Sequence, residues 1–498
     1  MTEAAPTEEM ARPVPLTAFE RRFKHPPGLF ILFFAEMWER FSFYGMRGLL
    51  KLYVVNYLFV NWQQIKQGAA FVKRDPILVW GGTFVRSLLS TPADSELKQC
   101  LVKAVQNYPK LDPALALDAA RQACIAQEHA SIIYGWYTGL VYLTPFFGGI
   151  IADRLLGQRK TVVIGGVLMA IGHFVMASEV SFFIALTLLI LGNGAFKPNI
   201  STQVGNLYAP GDPRRDGAFT IFYMGINLGA FICNFVCGTL AAVYGWHYGF
   251  AAAGVGMLLG LAVYILGKNH LAQDNLSARR AAGNESREPL TQTEWSRVWA
   301  LCALCALNVV FWAVYEQQGN TMQTWADEQT VWPVLGSFQV PSTWFQSFNP
   351  FCIFLLAPFL DMFWRRQAKR GTEPGSVTKM AIGCVILGLS FIVMVVGAQA
   401  VGTGRGSPFW PLFCTLLLTV GELYLSPIGL SLVTKVSPIR IVSMMMGMWF
   451  VSSFLGNLLS GYIGVLYTRL PKEGFFLVLT ALGVGAGIAM WAFNKPIR

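Results

Sequence analysis

The sequence predicts an all-α integral membrane protein with twelve transmembrane helices in two bundles of six. Hydrophobic residues make up 54% of its 498 residues and charged residues only 13%, and the mean hydropathy is +0.47. Apolar segments of about 20 residues, long enough to cross a bilayer, recur along the chain. One polar interval, 268–292, divides them into six and six. This composition excludes an ordinary soluble fold.

Each predicted helix is an apolar run that ends at Gly, Pro or charged residues. The runs cover 29–58, 130–152, 161–178, 181–198, 218–242, 246–267, 296–318, 345–364, 377–401, 408–434, 442–467 and 475–493. The predicted organisation is an N-terminal segment 1–28, a bundle 29–267 with an insert 61–129, a linker 268–292 and a bundle 293–498.

The distribution of basic residues predicts the orientation in the membrane. Lys and Arg are concentrated in the N-terminal segment and in the loops after even-numbered helices, as in "DRLLGQRK", which holds Arg154, Arg159 and Lys160. Basic loops stay in the cytoplasm, so both termini are expected there. This topology explains the net charge of +11 without a nucleic-acid partner. The first helix is expected to act as its own membrane signal, without a cleaved leader.

The insert 61–129 is expected to lie on the exterior side, where helical spacing around Asp112 and Pro113 predicts short amphipathic helices. Cys100 and Cys124 are the two cysteines outside the predicted spans, and they form either a disulfide or free thiols. The other cysteines have no neighbouring His or carboxylate, and the histidines lack metal-site spacing. We therefore expect no metal site.

The first helix carries an unusual stripe of charge. The charged residues are Glu36, Glu39, Arg40, Arg47 and Lys51. Each charge at the bilayer centre costs about 3 kcal/mol, so lipid exposure would cancel the apolar run. Three- and four-residue steps place most of them on one face, and Glu36 precedes Arg40 in the favourable order for an ion pair. The stripe either locks the helix in its bundle or marks an ion or substrate pathway.

Three further ionisable residues lie within other apolar helices. Lys197 lies in the fourth helix, Glu316 in the seventh and Glu422 in the tenth. A cavity lined by both signs of charge favours a zwitterionic ligand over a simple ion. Lys197 and Glu422 are also candidates to pair across the two bundles in one state and to separate in another.

Three motifs resemble the proton-dependent oligopeptide transporters of the major facilitator superfamily. "EMWERFSFYGMR" (36–47) resembles the family's E-x-x-E-R-F-x-Y-Y-G-M-R motif, and two other signatures are "GGIIADRLLGQRKTVVIGGVL" (148–168) and "FTIFYMGINLGAF" (219–231). The resemblance implies the major facilitator fold, with twelve helices and cytoplasmic termini. Phe43 departs from the motif, which has tyrosine there, and the linker is too short for the two extra helices of many bacterial members.

The resemblance also implies roles for individual residues. Proton coupling would involve Glu36, Glu39, Arg40, Lys197 and Glu422. The peptide carboxylate would contact Arg40, Arg47 and Lys197. The peptide ammonium would contact Glu316, Asn227 and Asn349. Pocket-lining residues would be Tyr44, Tyr142, Trp312 and Trp449. Gating would involve Asp153 and Arg154.

The implied function is a proton-coupled symporter of di- and tripeptides in the bacterial inner membrane, acting as a monomer by alternating access. It would use no cofactor except the proton as coupling ion. Two alternatives stay open: a same-family transporter of nitrate or another small anion, and a non-transporting peptide sensor. An enzyme is not expected, because we find neither a nucleophile with a base nor a metal constellation.

Overall fold

The computed structural model describes residues 22–59, 113–209, 212, 214–272, 291–438 and 441–497, without the side chains of 113–124, 216, 442–443 and 494–497. Twelve long helices lie in this part of the chain. They are α1 (Pro27–Tyr53), α2 (Pro113–Ile151), α3 (Gln158–Val175), α4 (Phe182–Asn206), α5 (Arg214–Cys233), α6 (Trp246–Gly267), α7 (Gln292–Tyr315), α8 (Phe348–Lys369), α9 (Ser376–Val401), α10 (Phe409–Val436), α11 (Val442–Arg469) and α12 (Lys472–Ile497).

Shorter elements extend or connect these helices. Wider π-helical turns continue α1 over Val54–Leu58, α2 over Ala152–Leu156 and α5 over Asn234–Gly238, before a last turn Thr239–Tyr244. Between α7 and α8 lie the turn Glu316–Gln318, a short helix Thr321–Glu328, the antiparallel strands β1 (Val334–Leu335) and β2 (Phe338–Gln339), and the turn Ser342–Ser347.

Ten helices in the described residues are long and apolar enough to cross a membrane. The two that fall short are α1, which carries the charged stripe, and α3, which is only 18 residues long and begins beside Arg159 and Lys160. Large apolar side chains are exposed on the outer surface, including Leu266 and Trp491. Contiguous exposure of this kind suits lipid contact, and the predicted multi-pass membrane protein is confirmed.

The start of α2 differs from the prediction. The helix begins at Pro113, so residues 113–129, which the sequence analysis assigns to the insert, continue directly into the predicted span. Proline is favoured in the first turn of a helix, and the Ala- and Leu-rich segment after it has high helix propensity. Residues 60–112, with Cys100, and the side chain of Cys124 lie outside the described part, so the disulfide hypothesis stays open.

The helices enclose two separate apolar cores. One cluster of buried residues runs from Leu29 to Leu271 and a second from Val298 to Met490. In the first bundle α1 packs on α5 and α6 and α3 packs on α4, and in the second α9 packs on α10 and α12. Contacts between α2 and α11 join the two bundles.

We call the end where α1 stops and α2 starts the insert side, and the end where α6 stops and α7 starts the linker side. Side chains at the insert-side ends of several helices bond across the two bundles. The pairs are Arg47–Glu316, Asn56–Asp327, Gln127–Glu328, Glu128–Arg469, Asn234–Ser347 and Thr239–Trp344. The molecule is therefore closed on the insert side.

Glycine permits a close contact between α2 and α4 in the first bundle. A Cβ on Gly148 of α2 would lie 1.9 Å from the carbonyl oxygen of Gly194 in α4, whereas a Cβ on the neighbouring Gly149 would meet nothing within 4 Å. Backbone atoms cannot move aside as a flexible side chain can. The α2–α4 distance thus depends on the missing side chain at Gly148.

We expect Gly148→Ala to lower the thermal unfolding midpoint in detergent, because overpacking against backbone costs about 1–3 kcal/mol. Gly149→Ala is the matched control in the same helix. It should leave the midpoint unchanged or raise it, since alanine stabilises a helix by up to about 1 kcal/mol relative to glycine. Equal midpoints for the two variants would contradict the close α2–α4 contact.

Candidate functional site

The first three charges of the α1 stripe are buried inside the first bundle. Glu36, Glu39 and Arg40 are 1%, 0% and 2% exposed. Arg40 Nε lies 3.2 Å from Glu36 Oε1, and Arg40 Nη2 donates to Glu39 Oε1 at 2.7 Å. Asn193 of α4 donates to the same Glu39 oxygen at 3.0 Å. One guanidinium is thus shared by two carboxylates, and the charges face protein as their insertion cost requires.

Basic and aromatic side chains continue from this cluster. Lys197 interacts electrostatically with Glu36 and Glu39, and its Nζ lies 4.7 Å from the ring centre of Tyr142. The ring of Tyr44 lies between Arg40 and Arg47, with guanidinium carbons 6.0 and 5.8 Å from its centre. Aromatic faces stabilise cations at these distances. Arg40 and Arg47 therefore share the ring of Tyr44, and Lys197 contacts that of Tyr142.

An ion pair between Arg47 and Glu316 joins the two bundles. Arg47 Nη2 contacts Glu316 Oε2, and Arg47 Nε donates to the Tyr134 hydroxyl at 2.8 Å. That hydroxyl lies 3.4 Å from the same Glu316 oxygen. Gly319 makes room for this contact, because a Cβ there would be 1.9 Å from the hydroxyl. The residues proposed to bind opposite ends of a peptide thus neutralise each other in this state.

Glu422 is held by neutral donors of its own bundle. Its Oε2 accepts from the Tyr315 hydroxyl at 2.7 Å and from Asn349 Nδ2 at 3.0 Å. Asn349 Nδ2 also lies 2.9 Å from Thr419 Oγ1. Within the described residues no ion pair joins Glu422 to Lys197. The pairing predicted for one state is absent from this state, since both partners have other neighbours.

The remaining predicted residues lie in several different helices. Asn227 Nδ2 donates to the Tyr223 carbonyl of its own helix at 3.0 Å. Trp312 and Trp449 are buried in the second bundle, and the Trp312 indole nitrogen has no hydrogen-bond partner in the part of the chain that the structure describes. Asp153 and Arg154 lie in the π-helical turn Ala152–Leu156, at the linker-side end of α2 and outside this cavity.

Sequence reasoning missed Tyr134 and Tyr137 of α2. Tyr134 bridges Arg47 and Glu316, and Tyr137 stacks on Phe43 with ring centres 6.4 Å apart. Phe43 also lies under the Arg40 guanidinium, 5.1 Å from its carbon. Their signal was present in "YGWYTGLVY", where the tyrosines recur at three- and five-residue steps up to Tyr142. Phe43 thus packs against aromatic and cationic neighbours, although it lacks the hydroxyl of the tyrosine found at this position of the family motif.

No group of three or more His, Cys, Asp or Glu side chains among the described residues is arranged to hold a metal ion.

The sequence matches the model of the POT family over residues 159–287 and 275–479. It is 32% identical over 545 residues to an uncharacterized transporter YclF of Bacillus subtilis (strain 168), with 99% of this chain and 97% of that protein covered. It is also 32% identical over 511 residues to the peptide transporter YePEPT of Yersinia enterocolitica, with 89% and 88% covered.

Solved structures agree with this assignment. A crystal structure of the peptide transporter POT in complex with sulfate has a TM-score of 0.74 and 30% identity, covering 97% of each chain. A POT family transporter in complex with 5-aminolevulinic acid has a TM-score of 0.73 and 26% identity, covering 96% of this chain and 98% of that one. The predicted major facilitator fold is confirmed, and the chain belongs to the POT family.

Proposed function

We propose that the protein is a proton-coupled symporter that imports di- and tripeptides by alternating access. The observation that carries the proposal is the Arg47–Glu316 pair between the bundles, beside the Glu36–Arg40–Glu39 cluster on the same helix. Relatives described as peptide transporters support the substrate class. A POT solved with alafosfalin and a POT family transporter solved with a conjugated peptide support it further.

A zwitterionic peptide suits the charges of the cavity. Its carboxylate would bind Arg47 together with Arg40 and Lys197, and its ammonium would bind Glu316 with help from Asn227 and Asn349. Breaking a buried ion pair is costly when one charge is left without a partner. A peptide supplies a replacement for each partner at once, so it can separate Arg47 from Glu316. A single anion such as nitrate replaces only one of them.

Two carboxylates that compete for one guanidinium suit proton coupling. When Glu36 or Glu39 takes a proton, Arg40 keeps one carboxylate partner and gains freedom to face the substrate carboxylate. Lys197 and Glu422 would complete the coupling, each able to change partner between states. The proton is then the coupling ion, and the membrane potential supplies about 2.3 kcal/mol per charge for each 100 mV.

Alternating access gives the remaining residues their proposed roles. With the insert side closed, the space between the bundles would open toward the linker side, where Asp153 and Arg154 would act in gating. Tyr44, Tyr142, Trp312 and Trp449 would line the pockets for peptide side chains. The side chains named for coupling and binding come from both bundles of a single chain, so we propose that the monomer transports.

Glu36→Gln is expected to abolish concentrative uptake of labelled dialanine into liposomes with an acidic exterior, because the glutamine cannot take up a proton. Exchange of labelled for unlabelled dipeptide across the liposome membrane should persist in part. The measurement is uptake under an imposed gradient, followed by counterflow without one.

The control is Asp361→Asn, which removes a carboxylate whose pair with Arg365 is mostly exposed. Exposed pairs contribute little, so uptake should match the wild type. If wild-type protein takes up neither dipeptide nor nitrate under any gradient, transport is rejected in favour of a sensor. Uptake of nitrate alone would select the anion alternative.

Glu316→Gln should weaken binding of dipeptides about 10- to 100-fold and leave N-acetylated dipeptides nearly unchanged, because only the free ammonium gains a charge-assisted bond from this carboxylate. Competition against labelled dipeptide measures both affinities. Glu422→Gln is the control, since it removes the other carboxylate that the sequence analysis placed within an apolar helix of the second bundle. Equal losses for free and acetylated peptides in Glu316→Gln would refute the assignment, and selective losses in Glu422→Gln would transfer it to that residue.

A further inference from the structure

Lys51 is a buried cation that the proposed transport cycle leaves without a role. It lies on α1 one turn beyond Arg47, and its side chain is 1% exposed. Its Nζ donates to the Ser131 hydroxyl at 2.5 Å and to the Gln127 carbonyl oxygen at 3.1 Å. Among the described residues no carboxylate lies within ion-pair distance of it. A buried ammonium with only neutral acceptors is costly to keep.

The acceptors of Lys51 belong to the turn of α2 that contacts the second bundle. Gln127 Nε2 donates to Glu328 Oε1 at 2.8 Å, and Gln127 Oε1 accepts from Thr324 Oγ1 at 3.3 Å. The next residue, Glu128, accepts from Arg469 Nε at 3.1 Å. Gln127 is therefore held from both directions, by Lys51 at its backbone and by the short helix Thr321–Glu328 at its side chain.

A second connection between α1 and α2 lies one turn deeper. There Arg47 bonds Tyr134, and both contact Glu316 of the second bundle. One helical turn separates the two connections along α1, a rise of about 6 Å. Because α1 and α2 are each continuous helices here, a shift at one connection displaces the other.

We propose that Lys51 is a positioning residue of the insert-side closure: it fixes α2 against α1 so that the Gln127–Glu328 and Arg47–Glu316 contacts form and break together. The inference rests on the proposed alternating access. In the closed state Lys51 orients Gln127 toward the second bundle. When the bundles separate on this side, Glu328 leaves with the second bundle while Lys51 stays bonded to α2.

Hydrogen–deuterium exchange followed by mass spectrometry of the full-length protein in nanodiscs tests this. In Lys51→Met, residues 125–134 and 321–328 should exchange faster, because closure is weakened. Exchange should be slower on the linker side, at residues 145–156 and 444–452. The reason is that molecules open on the insert side are closed on the linker side, and the variant increases their fraction. General destabilisation would speed exchange at both ends.

Uptake supplies the second readout. The maximal rate of dipeptide uptake should fall about tenfold in Lys51→Met, since a charged donor is lost at the closure, while the concentration for half-maximal uptake changes little. Lys51→Arg keeps a donor to α2 and should restore most of the rate. Ser131→Ala removes one acceptor and should reproduce the exchange pattern more weakly.

The matched control is Lys379→Met. Lys379 is also a buried lysine, 7% exposed, but it lies at the linker side, bonded to Glu373 and 4.6 Å from the ring centre of Trp364. Its loss should leave insert-side exchange unchanged. The positioning role would be overturned if residues 125–134 of Lys51→Met exchanged at the wild-type rate. It would also be overturned if both Lys51→Met and Ser131→Ala exchanged faster at both ends of the molecule. Reciprocal exchange in a protein that transports no peptide would uphold it and reject transport.

Discussion

The buried ion pair between Arg47 and Glu316 is the interaction on which the rest of the structure depends. The two side chains are 15% and 1% exposed, so water does little to compensate for their separation. Attraction between charges is strong in such surroundings, but either charge alone would be severely destabilising. The surrounding sequence accommodates the pair, with Gly319 leaving space for Tyr134 to bond both partners. Under the proposed function, a peptide separates them by offering each charge a new partner.

The cost of burying charge also links the charged site to the packing of the helices. Helix α1 lacks the apolar character of the ten candidate spans, and its charges enter the membrane only because α4, α2 and the second bundle supply polar partners. The packed protein therefore lowers the cost of placing the charges of α1 at membrane depth. The residues that make the helix unfit for lipid are the residues that form the charged site.

The sequence predicted those features that follow from local pattern. Helix number, the break between bundles and the burial of the α1 stripe all follow from hydropathy and helical spacing. Partners far apart in sequence were harder to predict. Lys197 and Glu422 were expected to pair in one state and to separate in another, and they have separate neighbours in this state. Such a pairing depends on which state is populated, and spacing carries no information about that. Tyr134 was missed because tyrosine in an apolar helix usually indicates packing. The start of α2 was misplaced because its first turns are amphipathic rather than apolar.

Helix α1 carries the residues of all three proposed roles, proton coupling, peptide binding and closure. The Glu36–Arg40–Glu39 cluster, Arg47 and Lys51 follow one another along it over about 22 Å at a rise of 1.5 Å per residue. A continuous helix does not absorb a displacement locally, since its backbone hydrogen bonds resist bending unless a proline or an inserted group interrupts them. The only departure from regular helix in its described length, Val54–Leu58, lies beyond Lys51. Under the proposed function, a change of partner at Arg40 would therefore be transmitted to Arg47 and to the insert-side contacts. Coupling between proton, peptide and closure would then need no additional moving part.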